Sequence, residues 1–295
     1  MNKPLIRIGT RGSDLALWQA HHVKTQLENL GCSVSIQIIQ TQGDRIQDLS
    51  FDKLEGKGFF TKEIEAALLN GTIDLAVHSH KDLETTPPSG LVIAAVSERE
   101  DPSELLLIHP DAHAASERLE LKAGARIGTS SARRQSLLRN LRSDLAIAEL
   151  RGNVPTRIEK LRSGQYDAIL LAKAGVARLQ IDTSDLITRT LNPKDFVPAP
   201  AQGVLGLQVR ETDDQTYEWV RKLNCAPSEH SIRIEREILR NMEGGCQLPL
   251  GVYNDGEVVH VSYAKSKLEA ATLIKFPIAG NENHMSSIIE TLQAL

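Results

Sequence analysis

The chain has 295 residues, 41% of them hydrophobic, and 34 Lys and Arg against 38 Asp and Glu leave a formal net charge of -4. This charge excludes a global basic field for nucleic acid or an anionic membrane, and no apolar run approaches the roughly 18 residues of a membrane span. Three cysteines without a CxxC pair indicate a reducing compartment. We therefore expect a protein of the cytoplasm, with no nucleic-acid or membrane partner.

The first part of the chain alternates strand and helix patterns, which is typical of a mostly parallel sheet. Strands are predicted at Leu5–Ile8 and Val34–Ile39, and an amphipathic helix follows the first of them. A helix over Lys62–Leu69 precedes the apolar run Ile73–Val77. The polar stretch 41–60 is long for a connection, so it is either disordered or functional.

The pattern then restarts, which indicates an internal repeat. Arg126–Thr129 repeats the four residues of Arg7–Thr10, and Gly164–Asp167 resembles Gly71–Asp74. Charged and Pro-rich crossings near 98–102 and 198–203 predict a double hinge between two similar α/β domains. A smaller α+β domain follows them, with a strand predicted at Val258–Tyr263. The expected domains are residues 1–98 with 200–217, residues 103–196 and residues 218–295.

Arginines and hydroxyl residues follow several predicted strands. Gly128–Gln135 places them at a helix start, where backbone N–H groups and guanidinium forks suit a carboxylate or phosphate. Arg11 and the segment Arg151–Arg157 occupy comparable positions. If the strand ends meet at one cleft, these residues predict a site for a polyanionic small molecule. The alternative is a set of arginines scattered over the surface.

Three further features could carry chemistry. Asp82, beside Lys81 after a buried-looking strand, is either a general acid or base or an ordinary turn aspartate. Cys246 follows two glycines, which can present a nucleophile or an attachment point. His78 and His80 have the spacing for one face of a strand, but no third ligand accompanies them, so we expect no metal site.

A set of motifs in a fixed order then indicates a family. Together they resemble the porphobilinogen deaminases, also called hydroxymethylbilane synthases, over residues 5 to about 253. The motifs are Arg7–Arg11, Leu15–Ala20, Gly56–Gly58, His78–Asp82, Gly128–Gln135, Arg151–Val154 and Glu243–Pro249.

The resemblance implies a fold, a cofactor and a reaction. The fold has two domains like those of periplasmic binding proteins, plus the smaller third domain. The cofactor is a dipyrromethane attached through Cys246, which primes the reaction. Four porphobilinogen molecules are added head to tail with loss of ammonia, and water releases hydroxymethylbilane. A transferase of haem and tetrapyrrole biosynthesis that works as a monomer is therefore expected.

The resemblance also implies roles for individual residues. Asp82 matches the catalytic carboxylate. The positions that match cofactor-binding residues are Cys246, Lys81, Thr129, Ser130, Ser131, Arg133, Arg134 and Arg151. The positions that match substrate-binding residues are Arg11, Ser13, Gln19, Ser79, Arg151, Arg157, Arg178 and Gln202. The active-site loop is expected to contain Lys53, Lys57 and Phe60.

Some positions depart from the family pattern. His80, Glu84 and Ala132 replace the usual residues, although none of them removes a charged group with an expected role.

Two other functions fit parts of the sequence: a noncatalytic, hinged anion-binding protein and a ligand-sensing regulatory domain. The first leaves Cys246 and the Lys81–Asp82 pair unexplained, and the second lacks a helix-turn-helix or basic patch.

Overall fold

The computed structural model describes residues 4–45, 60–243, 247–278 and 284–295. The chain divides into two units. Unit 1 comprises the described residues up to Glu100 together with 202–233, and unit 2 comprises 101–201 with the described residues from Ile234 onward. Within these ranges, no helix combines the length and apolar character needed to cross a membrane. The predicted boundary of a third domain at residues 217 and 218 stays a prediction.

The secondary structure contains strands and helices close to the predicted positions. Helix Lys62–Leu69 and strand Val258–Tyr263 are confirmed to the residue. The strand expected from the apolar run Ile73–Val77 is Leu75–Ser79, which begins two residues later. The strands are β1 (Leu5–Thr10), β2 (Ser33–Ile38), β3 (Leu75–Ser79), β4 (Leu91–Val96), β5 (Glu104–Ile108), β6 (Arg126–Gly128), β7 (Ala146–Ala148), β8 (Ala168–Ala172), β9 (Ile187–Leu191), β10 (Leu205–Arg210), β11 (Leu250–Asn254), β12 (Val258–Tyr263) and β13 (Thr272–Pro277). The helices are α1 (Asp14–Asn29), α2 (Gln42–Arg45), α3 (Lys62–Leu69), α4 (Ala132–Leu141), α5 (Val154–Arg162), α6 (Lys173–Leu179), α7 (Asp214–Arg221), α8 (Ala226–Asn241) and α9 (His284–Gln293).

Each unit contains a five-stranded mixed sheet. The order is β2-β1-β3-β10-β4 in unit 1 and β7-β6-β8-β5-β9 in unit 2. In both, three neighbouring strands are parallel, and a fourth, β10 or β5, runs antiparallel between its two neighbours. The same order and strand directions occur twice, which confirms the prediction of two similarly built α/β parts.

The repeated sequence forms the same pair of Arg–Asp hydrogen bonds in both sheets. In unit 1, Arg7 N donates to Asp74 Oδ2 at 3.0 Å, and Asp74 N donates to Arg7 O at 2.8 Å. In unit 2, Arg126 and Asp167 exchange the equivalent bonds at 2.7 and 2.9 Å. The residue before each aspartate packs against the glycine of the preceding strand, so a Cβ on Gly9 or Gly128 would clash with it.

Separate apolar clusters lie on the sheets. In unit 1, α1 packs on the sheet through Ala20, Val23 and Leu27. In unit 2, two clusters lie on the sheet that contains β5 and β8. A further cluster joins α8 and α9 to the antiparallel sheet β11-β12-β13, which also belongs to unit 2. The chain therefore has a mixed α/β fold with a small C-terminal sheet.

The close packing of Tyr166 against Gly128 in unit 2 can be tested with Gly128→Ala. The added Cβ would lie 2.8 Å from the ring of Tyr166, whose hydroxyl donates to Glu149 O at 2.5 Å. Because overpacking a core forces side chains out of their preferred positions, we expect a loss of about 1–3 kcal/mol in the free energy of unfolding. Denaturant titration measures this loss.

The control is the same substitution in a Tyr166→Leu background, where the smaller side chain relieves the clash. The alanine should then destabilise the protein clearly less. An equal loss in both backgrounds would contradict the packing explanation.

Candidate active site

The carboxyl ends of β1 and β3 place several expected site residues at one edge of the unit 1 sheet. β1 and β3 are parallel neighbours, so the segments that follow them meet at this edge. Ser13 is the N-terminal cap residue of α1. Gln19, buried one turn into this helix, donates from Nε2 to Ser79 Oγ at 2.8 Å. Gln19 and Ser79, both expected to bind substrate, are therefore brought together.

Lys81 and Asp82 lie on a short 3₁₀ turn directly after β3. The turn is attached to the rest of unit 1 at two points. His80 N donates to Val204 O at 2.9 Å, and Lys81 Nζ donates to Gln202 Oε1 at 3.1 Å. Asp82 is exposed, whereas its neighbours His80 and Leu83 are buried. The fold therefore anchors the turn on both sides and leaves the carboxylate accessible.

Arg11 and Phe60 form a further contact in unit 1. The Arg11 guanidinium carbon lies 4.2 Å from the centre of the Phe60 ring, a cation–π distance. Phe60 is the last residue of the polar stretch 41–60 and the first described residue after position 45. Lys53 and Lys57, the other two residues expected in the active-site loop, lie outside the described residues.

In unit 2, the hydroxyl residues before α4 bind neighbouring backbone. Ser131 Oγ accepts from Arg134 N at 3.4 Å and caps the helix. Ser130 Oγ donates to Leu150 O and accepts from Leu150 N, both at 3.0 Å. Thr129 Oγ1 accepts from Ser131 N at 3.3 Å. These expected cofactor ligands therefore also stabilise the loop that contains them.

Arg133 and Arg134 differ from the expectation of an open anion site. Both guanidinium groups are buried, and each donates to Glu104 at 2.6 Å. Burial lowers the pKa of Arg133, which the carboxylate of Glu104 counteracts. Glu104 was not among the residues predicted from the sequence. The available signal was a carboxylate in the apolar strand β5, because such a group needs a buried cation.

The remaining expected basic residues follow the strands of unit 2. Arg157 lies on α5, and its Nε donates to Gly152 O at 2.7 Å. Burial lowers the pKa of Arg151, and nearby Glu149 opposes this effect. Arg178 lies in the last turn of α6. The convergence of these arginines with those of unit 1 on one cleft stays a prediction.

The cysteines differ in their surroundings. Cys32 is buried, which raises the pKa of its thiol, and Cys225 accepts a hydrogen bond from Ser228 Oγ at 3.3 Å. Cys246, the expected attachment point, lies outside the described residues. α8 ends five residues before it, at Asn241.

A buried polar cluster on α3, β3 and β10 was also missed. Gln208 Nε2 on β10 donates to Glu65 Oε1 at 3.2 Å, and Thr61 Oγ1 donates to Glu65 Oε2 at 3.3 Å. Burial of His78 lowers its pKa to about 4, and nearby Gln208 only partly opposes this effect. Among the residues that the structure describes, no three acidic, His or Cys side chains gather as a metal site requires.

Two α/β units of one topology, with polar residues at the ends of their strands, are typical of proteins that bind a ligand at the carboxyl ends of strands. Comparison with known proteins identifies the family. Residues 6–218 match the family model "Porphobilinogen deaminase, dipyromethane cofactor binding domain". The chain belongs to the porphobilinogen deaminase family.

Curated relatives agree over most of their length. The chain is 45% identical to a porphobilinogen deaminase of Syntrophobacter fumaroxidans, covering 85% of this chain and 80% of the relative. It is 42% identical to that of Syntrophotalea carbinolica, covering 100% and 94%. Among solved structures, it is similar to the VFT2 domain of Bordetella pertussis BvgS, with 15% identity and a TM-score of 0.45 over 75% of this chain and 86% of that one.

The buried His78 predicts a pH dependence of stability. Its pKa lies near 4 in the folded protein and near 6.5 when exposed, so folding favours the neutral ring. The resulting stability is complete above pH 6.5 and is lost as the pH falls towards 4. At about 1.4 kcal/mol per pH unit, the loss reaches about 3 kcal/mol. Urea titrations at intervals between pH 7 and pH 4 measure it.

His78→Gln is the matched control because the amide does not titrate in this range. Glu65 titrates in both proteins, so the difference in unfolding free energy between them isolates His78. That difference should change by about 3 kcal/mol across the interval. A difference that stays constant with pH would contradict the buried neutral ring.

Proposed function

We propose that Asp82 is the catalytic carboxylate, and Cys246 the attachment point of a dipyrromethane primer, in an enzyme that polymerises porphobilinogen into hydroxymethylbilane. The chain is a deaminating transferase of tetrapyrrole biosynthesis, in keeping with its family. The observation that carries the residue assignment is the exposed Asp82 on a turn that Lys81 and His80 anchor. We further propose that it works in the cytoplasm as a monomer.

The position of Asp82 suits proton transfer and charge stabilisation. Each addition breaks the C–N bond of a porphobilinogen aminomethyl group, releases ammonia and forms a C–C bond. Positive charge develops at the reacting carbon, and a carboxylate close to it stabilises that charge. Asp82 can also take up a proton at either Oδ atom. Because two hydrogen bonds hold its turn, the carboxylate needs little rearrangement to act.

The residues of unit 2 fit a cofactor that carries carboxylates. Two buried arginines share one carboxylate, so the cluster is deficient in negative charge. Arg134 Nε is also buried without a hydrogen-bond partner among the described residues. The bound dipyrromethane supplies the pyrrole carbon to which the first substrate is joined. Arg133, Arg134 and Arg151 would hold its carboxylates, together with Thr129, Ser130 and Ser131, and we assign Lys81 of unit 1 to the same cofactor.

The substrate proposal follows from the charge of porphobilinogen, which carries an acetate and a propionate. Each addition therefore brings two negative charges, and arginine forks match carboxylate geometry. We assign substrate binding to polar residues at the strand ends. In unit 1 they are Arg11, Ser13, Gln19, Ser79 and Gln202, and in unit 2 they are Arg151, Arg157 and Arg178.

Asp82→Asn tests the catalytic assignment because it preserves size and removes the negative charge. Loss of a group that stabilises charge and transfers a proton should lower kcat by about 10²–10⁴-fold. Primer attachment should persist, since Cys246 is unchanged. Steady-state kinetics and intact mass measure the two properties. Glu84→Gln removes a nearby charge as a control and should leave kcat within a few fold, whereas near-normal kcat in Asp82→Asn would refute the role.

Cys246→Ser tests the attachment point by intact mass of the denatured protein. The wild-type chain should exceed its sequence mass by two linked pyrrole units, because a thioether survives denaturation. The serine variant should have its sequence mass alone. Cys225→Ser is the control and should keep the adduct. An adduct that remains in Cys246→Ser would place the attachment elsewhere.

A further inference from the structure

Glu104 is a buried carboxylate that binds two arginines at once. Its Oε1 lies 2.6 Å from Arg133 Nη2, and its Oε2 lies 2.6 Å from Arg134 Nη2. The Glu104 side chain is 0% exposed, and those of the arginines are 6% and 7% exposed. Charge-assisted bonds of this length in a dry environment are strong and strongly directional. Glu104 therefore determines where both guanidinium groups lie.

The backbone around Glu104 allows it little movement. β5 lies inside the unit 2 sheet, where Glu104 is in register with Ala172 on β8 and with Leu191 on β9. The arginines, in contrast, lie on the first turn of α4. Arg133 Nη1 also donates to Val197 O at 2.8 Å, and Arg134 Nη1 to Leu170 O at 2.9 Å. A fixed strand thus orients side chains that come from a helix.

The cluster retains unused capacity for an anion. Two guanidinium cations against one carboxylate leave a net charge of +1 in a buried location, which is costly without a second anion. Arg134 Nε–H, buried and without a partner among the described residues, is a donor still available to an acceptor. Both observations indicate a carboxylate-binding site that is partly filled from within the protein.

We propose that Glu104 is a positioning residue that holds Arg133 and Arg134 as a preformed pair and leaves that pair able to accept one carboxylate of a pyrrole ligand. The inference rests on the proposed function, which supplies the ligand. Orienting the guanidinium groups during folding lowers the entropy cost of binding, because the side chains are not immobilised again when the ligand arrives. Glu104 itself touches no ligand.

Three variants separate this role from simple structural support. Glu104→Gln keeps the shape but removes the charge, and Glu104→Asp keeps the charge but withdraws it from the arginines. The control, Asp167→Asn, weakens the bond to Arg126 N at the opposite end of β8, in the same sheet. Full-length protein produced without pyrrole is incubated with porphobilinogen, and intact mass follows primer loading. The melting temperature of each protein is measured in parallel.

We expect Glu104→Gln to load about 100-fold more slowly, as for loss of one partner of a buried charge pair. Glu104→Asp should load about 10-fold more slowly, since a misplaced group is less costly than a missing one. Asp167→Asn should melt at a lower temperature but load at the wild-type rate. Wild-type loading by Glu104→Gln, or equal slowing in Asp167→Asn, would overturn the proposal.

A second measurement needs no pyrrole and so separates this proposal from the proposed function. The melting temperature is recorded against sodium acetate, with sodium chloride at equal ionic strength as the reference. Because Glu104→Gln removes the carboxylate that orients both guanidinium groups, acetate should raise its melting temperature less steeply than that of the wild type. Equal slopes would overturn the positioning role. A wild-type protein that never loads would instead refute the proposed function.

Discussion

The unit 1 sheet is assembled around one constraint, the pairing of two crossing segments of the chain. Residues 97–100 leave unit 1, residues 202–205 return to it, and the two run side by side. Glu100 N donates to Gly203 O at 3.1 Å, and Arg99 Nε donates to Gln202 O at 3.0 Å. Gly203 has φ +92° and approaches Glu100 O so closely that a Cβ would clash. This pairing places β10 between β3 and β4, and the outgoing chain enters β5 within four residues.

The same segments connect the fold to the site chemistry. Gln202, in the returning segment, contacts Lys81 beside the proposed catalytic Asp82. Glu104, at the start of β5, binds the two arginines of α4. The antiparallel strand of each sheet, or the segment directly before it, thus contributes to the proposed site residues of its own unit. Repetition of one topology has produced two chemically different strand ends, with an exposed carboxylate in unit 1 and buried arginines in unit 2.

Much of the fold and part of the site could be predicted because they depend on local sequence. The period of apolar residues identified α3 and β12 to the residue, and the repeated Arg-Ile-Gly-Thr indicated the duplicated sheet. The family was recognisable because ordered motifs are a property of the chain itself. The pairs Gln19–Ser79 and Lys81–Gln202 were foreseen as members of one site, but their direct contacts were not.

The fold class, the internal repeat, the family and the residue types available for chemistry could all be derived from the sequence, since each follows from local pattern or from residue order. The pairs of charges that neutralise each other could be identified only in the folded chain. Arg133 and Arg134 read as an open anion site, yet Glu104, some 30 residues earlier, lies against both. Strand insertion brings these residues together, and the strength of an ion pair depends on distance and burial, which the order of residues along a chain does not specify.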